Sequence, residues 1–173
     1  MSNKKYSRVY EEITNICNKN CSFCHGTSRA KRQMSREEFC HVADEISRVT
    51  DYIYFHVMGE PLTHPDFPLF LKMARESGYK SVLTTNGTLL DKCGDKILDA
   101  GIHKVNISVH SFENGTEAQF ENYMANLVDF AKKASPYGRG GSIADGEGKA
   151  PSHPINRKLS QRASLWKSIK FQA

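Results

Sequence analysis

Three cysteines fall within eight residues, Cys17-Asn18-Lys19-Asn20-Cys21-Ser22-Phe23-Cys24, at C-x3-C-x2-C spacing, with His25-Gly26 directly after. Thiolates are soft ligands suited to zinc or to iron–sulfur clusters, and three at this density can wrap one metal centre. A Cys3His zinc site that adds His25 is one reading. Zinc sites usually pair their ligands as two C-x2-C knuckles, however, and the second pair is absent from this chain. A cubane [4Fe–4S] cluster is the other reading. Three cysteines hold three of its irons and leave the fourth open to a small molecule, whereas electron-transfer clusters normally use four cysteines.

Composition narrows the setting. The 173 residues are 39% apolar and 25% charged, as in a globular domain with a core. No apolar run approaches the roughly 20 residues of a membrane span. The N-terminus, Met1-Ser2-Asn3-Lys4-Lys5-Tyr6, has no apolar stretch of the secretory kind, so a reducing cytoplasm is expected. Five cysteines, an odd number, then favour metal ligation over disulfides. Of the other two, Cys40 is expected in the core on a helix's apolar stripe, and Cys93 is expected to be structural.

The elements around the loop follow from periodicity. Residues 8–16 are rich in β-branched and aromatic side chains and predict a strand that delivers Cys17 at its C-terminal end. Ser35 and Glu38 match a capping box, and Phe39, Val42, Ala43, Ile46 and Val49 predict a helix to about Thr50. The apolar run 52–58 predicts a buried strand, with His56 inside it, ending at Gly59-Glu60-Pro61. Asp66 is the predicted cap of a second helix, stopped by Gly78. A third strand, 80–85, ends at Asn86-Gly87, and a third helix covers Leu89 to Ala100. A fourth strand, 103–109, ends at His110-Ser111, and Thr116 can cap a fourth helix. Four βα units in a row imply a parallel sheet, as an α/β barrel or a doubly wound fold. In either, the strand C-termini form the site.

The pattern stops near Ser135-Pro136: eleven of residues 135–154 are Gly, Ser or Pro. Charge divides at almost the same place. Residues 1–131 carry 15 Lys and Arg against 17 Asp and Glu, whereas residues 132–173 carry 9 against 2. The segment 135–173 is expected to be an irregular, basic, disordered tail. It lacks interleaved aromatics for stacking on bases, so nucleic acid is not an expected partner.

Cys17-x3-Cys21-x2-Cys24, at a strand end and with an aromatic before the last cysteine, resembles the signature of the radical SAM superfamily. Gly59-Glu60-Pro61 after the second strand resembles that family's GGE-like motif, with Met58 in place of the first glycine. Thr85-Asn86-Gly87 is similar to its TNG stretch, and Ser108 holds the fourth-strand position. The resemblance covers residues 8–131. It implies a partial α/β barrel, with residues 1–134 as its N-terminal part. It implies a [4Fe–4S] cluster on Cys17, Cys21 and Cys24, with S-adenosylmethionine (SAM) chelating the open iron. Gly59 and Glu60 would hold the SAM amino group, Phe23 would lie near adenine, and Asn86 and Ser108 would make further contacts. Reductive cleavage of SAM would yield a 5′-deoxyadenosyl radical that takes hydrogen from a substrate, a peptide or small molecule that the sequence does not specify. The expected electron donor is of flavodoxin or ferredoxin type. The family implies a fifth and a sixth βα unit. Neither is visible here, so the chain is expected to be cut short or shifted in frame after about Ala134.

Overall fold

The computed structural model describes residues 6–113, 115–135 and 141–144, the last as backbone only. Strands and helices alternate. In order they are β1 (Val9–Glu11), α1 (Arg36–Ile46), β2 (Tyr52–Phe55), α2 (Phe67–Glu76), β3 (Lys80–Thr85), α3 (Leu90–Asp99), β4 (Lys104–Ser108), α4 (Glu117–Ala134) and β5 (Gly141–Ala144). Short 3-10 turns, Pro61–Thr63 and Val109–Ser111, follow β2 and β4.

The sheet order is β1-β2-β3-β4-β5, and every pair is parallel. Consecutive order with right-handed crossovers puts all helices on one face, as in a barrel. A doubly wound sheet would reverse its order partway, so this is a partial (β/α) barrel. Ile53, Phe55, Leu83, Val105 and Ile107 point outward into the core against the helices. There Phe39 stacks on Phe70 at 4.4 Å between ring centroids, and Phe55 meets Phe67 edge-on at 5.1 Å. No helix of the described residues is long and apolar enough to cross a membrane.

The capping box expected at Ser35 forms, and the cap expected at Thr116 is part of a second box. Ser35 accepts from the Glu38 amide while Glu38 reaches back to the Ser35 amide, and Thr116 and Gln119 do the same for α4. Several boundaries and placements depart from the sequence reading. Asp66 stands at the N-cap of α2 as expected, but its side chain makes no cap hydrogen bond; its carboxylate takes two hydrogen bonds from Arg36, at 2.8 and 3.0 Å, which ties α1 to the start of α2. Helix α1 stops at Ile46, not Thr50, and Cys40 lies exposed on it, off the buried stripe of Phe39 and Ala43. β2 ends at Phe55, so His56 is exposed where burial was expected.

The largest departure is β5. It lies inside the segment expected to be irregular, and its register pairs Val105 with Gly141 and Ser108 with Ala144. Gly-Ser-Ile-Ala is a poor strand sequence by propensity, and the ladder of β4 supplies the partner that propensity omits. The rest of the expected tail, 136–140 and 145–173, lies outside the described residues.

Candidate metal and cofactor site

β1 is three residues long because the chain beyond it changes partner. Ile13 O accepts from Met34 N at 2.8 Å, and Asn15 N donates to Arg32 O at 3.3 Å. The buried Asn15 side chain closes the neck: Oδ1 accepts from Arg32 N and Nδ2 donates to Ala30 O, both at 2.8 Å. Residues 16–29 are thus a closed excursion with a tied base, and the three thiols ride on it. Cys17 and Cys24 are exposed and Cys21 is half-buried, all three as free thiols.

The second strand end grips this base. Glu60 N donates to Ile16 O at 2.8 Å, one residue before Cys17. Gly59 makes the approach possible: its φ is +76°, and a Cβ there would lie 2.4 Å from Thr14 O and 2.8 Å from Ile16 O. The Glu60 carboxylate is 2% exposed and points inward. Oε1 accepts from Thr85 Oγ1 at 2.7 Å and from Leu62 N at 3.1 Å, and Oε2 accepts from Asn86 N at 2.7 Å. It therefore joins the second strand end to the third.

Burial pushes the Glu60 carboxyl above its ordinary value of 4.5, against the downward pull of those hydrogen bonds. A carboxyl raised in the folded state favours folding while protonated. Its contribution is full below 4.5 and is lost as pH rises through the raised value. We expect the stability of wild type relative to Glu60→Gln, by urea unfolding of the cluster-free chain, to fall as pH rises across that window. A difference that stays flat or rises would contradict it.

Asn86 is buried at the third strand end and reaches back to the thiol loop. Its Nδ2 donates to Asn18 Oδ1 at 2.9 Å, and Asn18 Nδ2 donates to Thr88 Oγ1 at 2.9 Å. Thr88 Oγ1 in turn donates to Asn86 Oδ1 at 2.6 Å. Tyr123 from α4 fixes the turn from below, its hydroxyl donating to Asn86 O at 2.8 Å, and burial holds that phenol far above its ordinary pKa. Asn18→Ala leaves the buried Asn86 amide without this acceptor, an expected loss of about 1 kcal/mol readable by urea unfolding.

At the fourth strand end, Ser108 closes β4 half-buried, and its hydroxyl does not cap the turn that follows. Phe23 is 47% exposed, with its ring 4.7 Å from that of His110. Ser22 is hydrogen bonded to Glu113. All four strand ends therefore meet the thiol loop, directly or through one residue. As residues of the site, Asn15, Asn18, Tyr123 and Glu113 escaped the sequence reading, although helical spacing places Tyr123 in the core. A pair of asparagines inside the loop was the one hint, and the Ser22–Glu113 contact spans 91 residues with no local signal.

The donors suit a thiolate-bound cluster. Lys19 N points to Cys17 Sγ and Gly26 N to Cys24 Sγ, each at 3.4 Å, as amides do toward cluster sulfurs. His110 Nδ1 is buried without a partner among the described residues, a polar atom that a bound group could satisfy. Burial pushes the Cys21 thiol up, so its proton is one that a metal must displace. Among the described residues, no three His, Cys, Asp or Glu side chains gather as a single-ion site. A cubane cluster does not ask for that convergence, because each thiolate binds its own iron corner.

Fold and site together define a partial-barrel protein whose three-thiol loop is clasped by the neighbouring strand ends. The Radical SAM superfamily profile matches residues 12–140, and the chain belongs to that superfamily. It is 30% identical over 137 residues to the AdoMet-dependent heme synthase of Methanosarcina barkeri, covering 73% of this chain and 39% of that protein. It is 31% identical over 142 residues to a probable GTP 3′,8-cyclase of Sulfolobus acidocaldarius, covering 77% and 45%. The chain thus spans less than half the length of either relative. Both relatives are enzymes by name. Two solved structures share the fold. SuiB of Streptococcus suis, bound to S-adenosylmethionine, matches with a TM-score of 0.65 at 15% identity over 94% of this chain and 40% of its own. BtrN in complex with AdoMet and 2-DOIA matches at 0.55 and 22% identity, over 68% and 55%.

Proposed function

We propose that Cys17, Cys21 and Cys24 hold a [4Fe–4S] cluster whose open iron takes S-adenosylmethionine. The observation that carries this reading is the clasp. The loop bearing the three thiols is bonded at its base to Glu60, at Asn18 to Asn86 and at Ser22 to Glu113. A cofactor seated on the loop would face all four strand ends. Gly59 and its neighbouring backbone would receive the SAM amino group, because the Glu60 carboxylate is already engaged with Thr85, Leu62 and Asn86. Asn86 and Ser108 would flank the ligand, and the exposed face of Phe23 would meet adenine. When bound, the cluster and SAM supply one-electron cleavage of the sulfonium and a 5′-deoxyadenosyl radical for hydrogen abstraction. The chain's own part is to hold the cofactor, orient it and keep its loops in place. A small flavodoxin- or ferredoxin-type protein would deliver the electron.

Anaerobic reconstitution of the full chain with iron and sulfide tests the reading. The expected protein is brown, its cluster spectrum changes when SAM is added, and 5′-deoxyadenosine accumulates after reduction. A cluster whose spectrum ignores SAM would reduce the function to iron–sulfur binding. A stable colourless zinc protein would overturn the assignment.

A further inference from the structure

The outer half of the thiol loop rests on one short segment, His110 to Glu113, through four contacts. Lys19 Nζ lies 4.9 Å from the Phe112 ring centroid. Cys21 Sγ lies 3.7 Å from Ser111 O, and Phe23 faces His110 at 4.7 Å. Ser22 makes the fourth contact, donating from N and from Oγ to the two oxygens of Glu113 at 2.8 and 3.0 Å.

These contacts differ in kind. A sulfhydryl is a weak donor, and Lys19 over the half-buried Phe112 ring makes one contact without hydrogen-bond directionality. The Ser22–Glu113 pair is short, doubled and charge-assisted, the strongest class of the four. Ser22 stands between Cys21 and Cys24. Fixing its amide and its hydroxyl together fixes the path of the chain through both thiols. Among the described residues, no Lys, Arg or His forms an ion pair with Glu113. Among those residues its negative charge has no cationic ion-pair partner beside the loop.

We infer that Glu113 is a positioning residue for the metal centre: through Ser22 it sets the placement of Cys21 and Cys24, and its charge keeps the reduction potential of the bound cluster low. The role rests on the cluster reading above. Partners beyond the ligating thiolates orient metal ligands and tune the metal. An added electron is disfavoured by a nearby negative charge, so removing that charge raises the potential.

The experiment compares wild type, Glu113→Gln and Glu113→Asp as full chains reconstituted anaerobically with ferrous iron and sulfide. It reads cluster loss to an iron chelator, the midpoint potential by spectroscopic titration, and thermal unfolding of the cluster-free protein. Glu113→Gln keeps the size of the side chain and loses the charge. It is expected to release its cluster about tenfold faster. Its midpoint is expected to move positive by about 59 mV, a tenfold change in the ratio of reduced to oxidised cluster. Its cluster-free melting is expected to match wild type. Glu113→Asp keeps the charge and is expected to restore most of the potential.

Equal release and equal potential in wild type and Glu113→Gln would overturn the role while leaving the cluster assignment intact. A cluster-free Glu113→Gln that melts well below wild type would overturn it too, by making Glu113 a residue of the fold. A wild-type chain that binds no iron and sulfide would overturn the cofactor reading and this role together. Exchange of the Ser22 amide in cluster-free protein checks the contact by itself: tenfold faster exchange in Glu113→Gln is expected, and equal exchange overturns the inference.

Discussion

Serine in place of any one of Cys17, Cys21 or Cys24 is expected to reduce iron and sulfide retained after reconstitution to background, whereas serine at Cys40 or Cys93 leaves it unchanged. Each of the three loop thiols would hold one iron corner, and a hydroxyl is a hard, weakly acidic ligand that does not replace a thiolate there. Losing one of three corners leaves two, and the nearest other donors, His25, His110 and Glu113, are not thiolates. The fold should not notice. Cys17 and Cys24 are exposed and Cys21 only half-buried, so cluster-free stability is expected to stay within about 0.5 kcal/mol of wild type. Cys93 reverses the pattern. It packs against the core and burial pushes its thiol up, which makes it inert as a ligand and relevant to packing. Cys93→Ser is expected to cost about 1 kcal/mol by urea unfolding and no iron. Full retention in any loop variant, or loss in Cys40→Ser or Cys93→Ser, would move the metal centre elsewhere.

Much of the frame was legible because it is periodic. Phe39 and Ala43 in α1, and Phe120, Tyr123 and Leu127 in α4, are buried at the spacing that marks them in sequence. The capping box at Ser35 and the cap at Thr116 mark the helix starts. The candidate ligands Cys17, Cys21 and Cys24 were legible because three thiols within eight residues of one loop stand out in the sequence. What escaped detection was non-local. Residues 12–16 read as strand by composition, yet Asn15 turns the chain onto Ala30 and Arg32, a pairing that no window on residues 8–16 contains. Strand β5 hides for the opposite reason: its Gly-Ser start reads as loop, and only the neighbouring ladder of β4 makes it strand. Cys40 was placed inside by helical phase, and a shift of one position on the helix circumference puts it outside. The place of Glu60 beside the thiol loop was legible but its orientation was not. Sequence position puts it beside the loop, while three donors from Thr85, Leu62 and Asn86 turn its carboxylate into the interior.

Gly59→Ala is expected to be the most damaging single-methyl change in the site, and Gly78→Ala is its control. Both glycines have positive φ, +76° and +85°. An alanine held in that region costs about 1–2 kcal/mol at either place. The surroundings then separate them. A Cβ at Gly78 meets nothing within 4 Å, so the backbone penalty is the whole effect. A Cβ at Gly59 lies 2.4 Å from Thr14 O, 2.8 Å from Ile16 O and 3.0 Å from Asn15 C. All three are backbone atoms, so no flexible side chain can swing away, and the approach of the two strand ends must open. Forced overpacking of this kind adds about 1–3 kcal/mol. Gly59→Ala is thus expected to lose about 2–5 kcal/mol in urea unfolding against about 1–2 for Gly78→Ala. The opening has a second consequence. Residues 14–16 lead directly into Cys17, and Ile16 O is the acceptor for Glu60 N. Displacing them shifts the base of the thiol loop against Glu60 and, through it, against Asn86. Under conditions where both variants remain folded, Gly59→Ala should therefore release its cluster faster than wild type, while Gly78→Ala holds it as wild type does. Equal stability and equal retention in the two variants would show that the contact between residues 14–16 and the Gly-Glu-Pro turn does not govern the loop.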